Sequence, residues 1–472
     1  MKRITYVGFA GMMMAGILLA LAGAHAQSLG DYARTVRKDK DKDKDQKPAA
    51  VKKYDNDNLP KNDQLSVVGP APEEPAKTDA AAPAAATPNA EKKADNGPES
   101  PADRQKRFDD WKSKLADQKS QVDLLSRELV RSGELARLVA EDSVTGLTSN
   151  PAIFQKAIAS GADYDAQIRR CLEETDDARE IFVRLAVDDV RAACDVLGPV
   201  WDRTEGADGY VSLEVDPGLA FDSEATLEQA VELHGQVERP NLYIKIPATK
   251  EGLPAIEECI ARGIPINVTL IFSLARYAEV VDAYQRGVER LLADGGDVSK
   301  VTSVASFFVS RLDTEADRRL EEAGRSDLQG KLGVANARLA YDHFVQAFAA
   351  SGWQHLAAAG ATRQRPLWAS TSTKNPSYRD VMYVEELIGS DTVNTMPLET
   401  LVAFRDHGEV RGVTVREGVE EARQLIDELA AAGVDYDDVV ATLETEGVQK
   451  FSDAFDELIA GIEARRGELA AT

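Results

Sequence analysis

A single lysine interrupts an apolar run in the middle of the sequence. Lys245 lies within residues 241–249, NLYIKIPAT, where residues 242–246 have the length of a strand. Apolar runs between turn signals are typical of a strand that is buried on both faces. Burial disfavours the charged ammonium and makes the neutral amine available as a nucleophile toward a carbonyl carbon. The alternative is that Lys245 reaches solvent from the end of its strand.

Other polar side chains stand at the ends of further strand-like runs. They are Thr148, Asn150, Glu214, Asn267, Thr269, Ser306, Arg311, Ser370 and Lys374. The set contains an acid–base carboxylate, orienting amides and hydroxyls, and two bases able to hold a phosphate. Together with a lysine nucleophile, these groups suit Schiff-base chemistry on a phosphorylated sugar.

Each of these residues also has a purely structural interpretation. Asn150 before Pro151 is a good helix N-cap, a role compatible with substrate binding. Glu214 could pair with a neighbouring lysine, and Arg311 could bridge surface carboxylates. Asn267 opens an N-glycosylation sequon, NVT, which a buried strand would make unreachable. The joint pattern favours the catalytic interpretation.

The elements that carry these residues alternate between short apolar runs and longer amphipathic stretches. Expected strands cover residues 144–147, 209–215, 242–246, 264–271, 301–307, 366–369 and 393–396, and expected helices 224–238, 253–262, 273–293, 313–321 and 331–351. Repeated alternation predicts an α/β fold, a closed (β/α)8 TIM barrel, in which strand C-terminal ends surround one pocket. The alternative is an open doubly wound sheet, but no GxGxxG follows a strand.

Composition excludes several classes of function. The 472-residue chain has 56 Lys+Arg against 80 Asp+Glu, a net charge of −24, which argues against nucleic-acid or anionic-membrane partners. Cys171, Cys194 and Cys259 are odd in number and lack CxxC spacing, so neither a disulfide framework nor a zinc site is indicated. The five histidines form no HxH or HExxH pattern, and we expect no metal.

The N-terminal part of the chain differs in composition from the rest. Residues 1–26 are typical of a secretory signal peptide, with a basic start, an apolar core at 6–22 and a small-residue AHA ending; an uncleaved anchor is the alternative. Residues 27–102 are rich in Ala, Pro, Lys and Asp and predict a disordered low-complexity linker. Residues 103–122 show helical spacing and predict a helical junction before a barrel at 123–472.

Five motifs, in order, resemble the transaldolase family from residue 125 to the C-terminus. They are GLTSNP at 146–151, VSLEV at 211–215, IKIPAT at 244–249, NVTLIFS at 267–273 and VASFFVSR at 304–311. WAS at 368–370, KNP at 374–376 and NTMP at 394–397 are similar to the longer bacterial branch. The resemblance implies a (β/α)8 barrel with class I aldolase chemistry and no cofactor.

The resemblance implies a covalent role for Lys245. Its amine would attack the ketone of a ketose phosphate such as sedoheptulose 7-phosphate, and the protonated imine would act as an electron sink. A dihydroxyacetone unit would stay bound and add to glyceraldehyde 3-phosphate, giving erythrose 4-phosphate and fructose 6-phosphate, a step of the pentose phosphate pathway. Glu214, with Thr269 holding a water, would move protons during imine formation and hydrolysis.

The resemblance also implies a substrate-binding set. Its members are Thr148, Asn150, Asn267, Ser306, Arg311, Ser370 and Lys374. The two asparagines would hold substrate hydroxyls, with Thr148 supporting the site. Arg311 and Ser306 would take the phosphate, a task suited to a guanidinium, and Lys374 stands near the place of a second arginine in relatives.

Two positions separate transfer from simple cleavage within the superfamily. The related fructose 6-phosphate aldolases tend to have Gln at the position of Glu214 and Tyr at that of Phe308. Both residues here resemble transferases, which keep the enamine from being protonated and released. The sequence therefore favours transfer.

The first strand departs from the family pattern. Relatives have a run close to WxDDLSR, whose aspartate is the acid–base for C–C cleavage, whereas residues 121–127 here are QVDLLSR. Asp123 falls on that position and is expected to keep the role. The preceding Lys119, Ser120 and Gln121 are polar where apolar residues belong, so strand one is expected to be short, poorly paired or replaced.

The alternative is that the protein is an exported, non-catalytic barrel, which serves for binding or display through its disordered N-terminal arm. The signal-like segment favours it, because sugar phosphates are cytoplasmic metabolites. The chemically intact set of Lys245, Glu214 and Arg311 favours an active enzyme with sugar-phosphate substrates in the cytoplasm. A misassigned start or a gene fusion near Gln121 would reconcile the two indications.

Overall fold

The computed structural model describes residues 119–123, 125–159 and 162–470. Eight parallel strands close into one barrel in chain order, with β1 paired to both β2 and β8. They are β1 Lys119–Asp123, β2 Val144–Thr148, β3 Tyr210–Glu214, β4 Leu242–Pro247, β5 Ile266–Ile271, β6 Ser303–Phe308, β7 Arg365–Ala369 and β8 Val393–Met396. The predicted (β/α)8 TIM barrel is confirmed, and the open doubly wound sheet is wrong.

Helices connect the strands and pack on the outside of the barrel. They are α1 Arg127–Arg131, α2 Glu134–Glu141, α3 Pro151–Ala159, α4 Asp165–Cys171, α5 Ala178–Arg203, α6 Ser223–Val237, α7 Gly252–Ala261, α8 Leu274–Ala293, α9 Ser310–Glu322, α10 Leu332–Ala349, α11 Ser351–Ala358, α12 Met382–Glu386, α13 Leu398–His407, α14 Val419–Ala431 and α15 Tyr436–Ala470. Short 3-10 turns lie at Pro217–Leu219, Val298–Lys300, Ser326–Leu328 and Thr414–Arg416. No helix of the described residues is long and apolar enough to cross a membrane.

Strand β4 shows why the apolar runs form this barrel. Every residue of β4 is buried, as in β5 and β6. Ile244 and Ile246 belong to the core between strands and helices, whereas Tyr243 belongs to a second core and stacks on Tyr210 with ring centroids 4.1 Å apart. Side chains alternate along a strand, so Tyr243 and Lys245 share the opposite face. Each fully buried isoleucine contributes about 1.5–3 kcal/mol.

Strand β1 forms despite its polar sequence. It has five residues and pairs along its length with both neighbours, with an irregular register between Ser120 and Gln121. The chain is therefore a strand from Lys119, where we expected a helical junction to continue to residue 122. Closure explains the difference, because without β1 both β2 and β8 would present unpaired edges. The expected segments at 1–26 and 27–102, and the junction up to residue 118, lie outside the described residues.

A glycine accommodates the polar side chain of Gln121. Gln121 is buried, and it lies opposite Gly146 of β2. A Cβ atom at position 146 would come within 2.8 Å of the Gln121 side chain. Gly146 therefore leaves the space that a long side chain in β1 requires.

The chain directly after β1 is held by a buried ion pair. The Nε of Arg127 donates to Asp189 Oδ1 of α5 at 2.7 Å, and the two side chains are 4% and 5% exposed. Its Nη2 donates to Gln167 Oε1 at 2.5 Å and its Nη1 to the Asp163 carbonyl at 3.3 Å, and its guanidinium lies 4.0 Å from the ring centroid of Tyr164. Tyr164 also donates to Asp189 Oδ2 at 2.8 Å. These bonds fix the start of α1, the first helix after β1, against α4 and α5.

Two carboxylates and two tyrosines join the helices that follow β6 and β7. Asp313 of α9 accepts hydrogen bonds from the Tyr383 hydroxyl and from the backbone N–H of Gly333, both at 2.7 Å. Asp317, one turn later, accepts from the Tyr378 hydroxyl at 2.5 Å. Burial raises the pKa of Asp313 to about 7 and also raises the pKa of Asp317. The start of α9 is thereby tied to the segment after β7.

Loss of the Arg127 guanidinium should destabilise the barrel strongly. Arg127→Leu leaves Asp189 buried without its cation, which typically costs about 3–5 kcal/mol in the free energy of unfolding. Urea unfolding measures the loss. As a control, Arg423→Leu removes a pair whose arginine is 51% exposed and should cost less than about 1 kcal/mol. Equal losses in the two variants would contradict a structural role for the buried pair.

The pH dependence of stability should report on Asp313. Its pKa is about 7 in the folded chain against roughly 3.9 when unfolded, so the folded state holds the proton more tightly. The resulting stabilisation is complete below about pH 4 and is lost as the pH rises to 7. Relative to Asp313→Asn, the wild type should lose at most about 1.4 kcal/mol per pH unit in this window.

Urea unfolding of both proteins between pH 4 and 8 tests this dependence. Tyr383→Phe removes a hydrogen bond that favours the carboxylate, so it should extend the window to higher pH. Parallel stability profiles for wild type and Asp313→Asn would show that Asp313 does not titrate in this range.

Candidate active site

Lys245 of β4 lies inside the barrel, paired with a carboxylate. Its Nζ donates to Glu214 Oε2 at 3.1 Å and to the backbone carbonyl of Ser149 at 3.0 Å. The side chains of Lys245 and Glu214 are only 8% and 7% exposed. Lys245 therefore does not reach solvent, and the lysine that pairs with Glu214 is the predicted nucleophile itself.

Strand register brings the predicted residues to one level of the barrel. Glu214 of β3 is the register partner of Lys245, and Lys245 is in turn the partner of Asn267 on β5. Residues that are register partners in parallel strands point to the same face of the sheet. Glu214, Lys245 and Asn267 therefore form one row that faces the barrel interior.

A hydrogen-bond network fixes the amide of Asn267. Its Nδ2 donates to Ser212 Oγ at 3.1 Å, and its Oδ1 accepts from Ser306 Oγ at 2.7 Å. Ser149 Oγ in turn donates to the Ser212 carbonyl at 3.0 Å. The network links the ends of β2, β3, β5 and β6. Asn267 is 1% exposed, so its sequon is inaccessible.

Three further predicted residues lie on β2, on β5 and at the start of α3. Thr148 is buried, and its hydroxyl has no hydrogen-bond partner among the described residues. Asn150 is the predicted N-cap, since its Oδ1 accepts from the backbone N–H of Ile153 at 3.1 Å. Thr269 is 1% exposed and precedes Leu270, whose φ is +60°. The left-handed backbone conformation of Leu270 interrupts the pairing of β5 with β6 and is strained for a residue with a side chain.

The predicted phosphate-binding residues follow the ends of β6 and β7. Arg311 lies in the first turn of α9, with its guanidinium 5.1 Å from the ring centroid of Phe308. The hydroxyl of Ser370 lies 2.9 Å from that of Ser310, and the Ser370 carbonyl accepts from the Ser310 N–H. Half-buried Lys374 donates to Ser372 Oγ at 2.9 Å. A helix start that carries an arginine in its first turn suits an anion.

Ser306 is more deeply buried in the barrel than the other residues that were predicted to bind the phosphate. It is 3% exposed and donates to Asn267. The hydrogen bond of Ser306 is therefore to the part of the site that contains Lys245, and not to Arg311.

Asp123 is the last residue of β1. Its register partner is Thr148, so the backbone of Asp123 lies at the same end of the barrel as the other predicted residues.

Sequence reasoning missed three residues of the site. Ser212 lies two positions before Glu214 on β3, so its face could have been inferred from strand alternation. Ser149 acts through its backbone carbonyl, for which the sequence carries no signal. Phe451 of α15 has its ring centroid 5.8 Å from Lys245 Nζ, and its distance along the chain hides this contact.

The described residues contain no grouping of three or more His, Cys, Asp or Glu side chains placed to hold a metal ion. Within the same part of the chain Cys171, Cys194 and Cys259 are buried free thiols.

Comparison with known proteins identifies the family. A family model described as Transaldolase/Fructose-6-phosphate aldolase matches residues 121–462. The transaldolase of Frankia alni is 54% identical over 349 residues, which cover 73% of this chain and 94% of that protein. The transaldolases of Acidothermus cellulolyticus and Mycobacterium tuberculosis are 54% and 51% identical, each covering 72% of this chain and 92% of their own length.

These matches cover the residues of the barrel, and they support a transferase instead of a non-catalytic binding or display protein. The match begins at residue 121, inside β1, and continues into α15. It therefore includes Asp123 and all of the strand ends described above. The chain belongs to the transaldolase/fructose-6-phosphate aldolase family, and it is an enzyme of the transaldolase type.

Proposed function

We propose that Lys245 forms a Schiff base with sedoheptulose 7-phosphate and passes a dihydroxyacetone unit to glyceraldehyde 3-phosphate. The products are erythrose 4-phosphate and fructose 6-phosphate. One observation carries the proposal: the Lys245 amine is buried inside the barrel, 3.1 Å from the Glu214 carboxylate. A buried lysine with an adjacent proton acceptor is the arrangement that imine formation requires.

Imine formation uses the contacts of the Lys245 amine. Glu214 takes a proton from the ammonium, and the carbonyl of Ser149 holds the amine in position. The nitrogen then attacks the ketone carbon, and the C–N bond forms. Glu214 returns the proton through a water on Thr269, so that the former ketone oxygen leaves as water.

Cleavage and transfer use Asp123. It removes the proton from the hydroxyl next to the breaking C–C bond, and the bonding electrons move into the iminium to give an enamine. The aldehyde product leaves, and glyceraldehyde 3-phosphate takes its place. The enamine carbon attacks the new aldehyde while Asp123 returns the proton. Hydrolysis of the imine then frees fructose 6-phosphate.

Binding of the sugar phosphate uses both ends of the pocket. Asn150 and Asn267 hold substrate hydroxyls near the lysine, and Thr148 supports the site. The Arg311 guanidinium takes the phosphate at the start of α9, where helix N–H groups also favour an anion. Ser306 of β6 acts through Asn267. Ser370 and Lys374, which follow β7, lie at the phosphate end of the pocket.

Two side chains favour transfer over release. Glu214 and Phe308 stand where simple aldolases tend to carry Gln and Tyr. Phe308 lies below the Arg311 guanidinium and has no hydroxyl with which to hold a water near the enamine. We place the reaction in the cytoplasm, where sugar phosphates are metabolised, although residues 1–26 resemble an export signal.

Trapping the imine should label one lysine. Incubation with fructose 6-phosphate and borohydride should reduce the imine to a secondary amine, and peptide mass spectrometry should find a dihydroxyacetone-sized adduct on Lys245. Lys245→Met should abolish labelling, whereas Lys250→Met, which removes an exposed neighbouring lysine, should keep it. The proposal fails if no adduct forms under conditions that label a known transaldolase, or if it forms on another lysine.

Removal of the Asp123 carboxylate should separate imine formation from cleavage. Asp123→Asn should slow C–C cleavage by about 10²–10⁴-fold, the usual contribution of a general acid–base. The adduct trapped on Lys245 should then be an intact hexose instead of a three-carbon unit. Cleavage at the wild-type rate would exclude Asp123 from the role.

A further inference from the structure

We infer that helix α15 forms the roof of the reaction site, the element that covers the mouth of the barrel, and that Phe451 on it is a positioning residue, which shields the Lys245 imine from bulk water other than the water held at Thr269. The inference rests on the proposed Schiff-base function of Lys245. It adds a residue outside the strand-end set, carried by the last helix of the chain. Its consequence is retention of the enamine for transfer.

Helix α15 crosses the end of the barrel at which the site lies. It contacts α3 after β2, the turn Pro217–Leu219 after β3, the strand β5, and α9 after β6. Gly447 marks a close approach, because a Cβ there would lie 3.3 Å from side-chain atoms of both Leu270 and Phe272 at the end of β5. These elements surround the mouth of the barrel, so α15 spans it.

One face of α15 is turned toward the barrel and includes Phe451. Val448, three residues before it, and Phe455, four residues after it, are each 6% exposed. The Phe455 ring packs edge-on against Phe182 of α5 at 5.5 Å, and Phe182 packs against Phe154 of α3 at 5.4 Å. Residues three and four apart share a helix face, so this packing fixes the direction of Phe451.

Ion pairs hold α15 in place independently of Phe451. In two of these pairs the acid lies on α15. Arg276 of α8 pairs with Glu444 at 3.5 Å, and Arg319 of α9 pairs with Asp438 at 2.6 Å. In a third pair the arginine lies on α15 and the acid on α4, Arg465 with Asp165 at 2.6 Å. The first arginine is only 10% exposed. Since three separate helices are tied to α15, the roof should stay docked when the Phe451 ring is removed.

The Phe451 ring lies where it can attract the cation at Lys245 and keep water away from it. Its ring centroid is 5.8 Å from Lys245 Nζ, within the roughly 6 Å over which an aromatic face attracts a cation. The iminium nitrogen formed from that amine carries the same charge. An apolar ring beside it also occupies the space from which water would approach.

Access of water decides between transfer and release. For release, the enamine carbon takes a proton and the intermediate becomes an iminium. Water then adds to the iminium carbon, the C–N bond breaks, and free dihydroxyacetone and the Lys245 amine result. Transfer instead joins the enamine carbon to an aldehyde. A ring that excludes bulk water while the enamine waits for the aldehyde therefore lowers release without taking part in bond formation.

Phe451→Ala should raise the ratio of free dihydroxyacetone released to dihydroxyacetone transferred. With fructose 6-phosphate as donor and erythrose 4-phosphate as acceptor, we expect about a tenfold increase in this ratio. Phe451→Leu keeps apolar bulk but lacks the aromatic face, so the ratio should rise less, by about two- to threefold. Glu457→Ala, on the exposed side of the same helix, should leave the ratio unchanged.

Borohydride trapping and thermal unfolding of the same proteins separate the possible failures. If the wild type gives no adduct on Lys245, the proposed function itself fails. If adducts form in all variants and the ratio in Phe451→Ala equals that of the wild type, the roof inference is overturned while the function stands. If Phe451→Ala does not fold, Phe451→Leu decides: a raised ratio supports the inference and a wild-type ratio overturns it.

Discussion

Closure of the barrel is the constraint on which the rest of the structure depends. The ends of β2 to β7 each contribute at least one side chain to the candidate site, and only a closed ring of parallel strands brings them to a common centre. Strand β1 illustrates the strength of this constraint. Its residues Lys119, Ser120 and Gln121 are poor strand-core residues, yet the backbone pairs with both β2 and β8. Hydrogen bonds that remove two sheet edges outweigh unfavourable side chains.

The buried pair of Lys245 and Glu214 gives the closed barrel its chemistry. Two opposite charges with side chains 8% and 7% exposed are costly to desolvate and are retained where they serve a purpose. The surrounding network of Ser149, Ser212 and Asn267 satisfies hydrogen bonds that would otherwise be lost in the interior. Folding thus prepares the proton transfer partner and the nucleophile together.

Much of this arrangement can be predicted from local sequence, because strand alternation links position to direction. Lys245 within an apolar run and Glu214 at the end of another predict two inward groups, and their pairing in the barrel follows from adjacent strands. Strand β1 could not be predicted from its own residues, since its formation depends on distant neighbours. Phe451 could not be predicted either, because its helical spacing does not reveal which strand end it meets.

The order of elements along the chain has a consequence for synthesis on the ribosome. The strands that close the ring, β1 and β8, are made first and last among the eight, and α15 follows them all. Nascent chains therefore emerge with β1 lacking one of its two partners, and long-range pairing of this kind is intrinsically slow. Until β8 has left the ribosome, the polar strand β1 has only β2 to hold it, and chaperones have the longest opportunity to bind this edge.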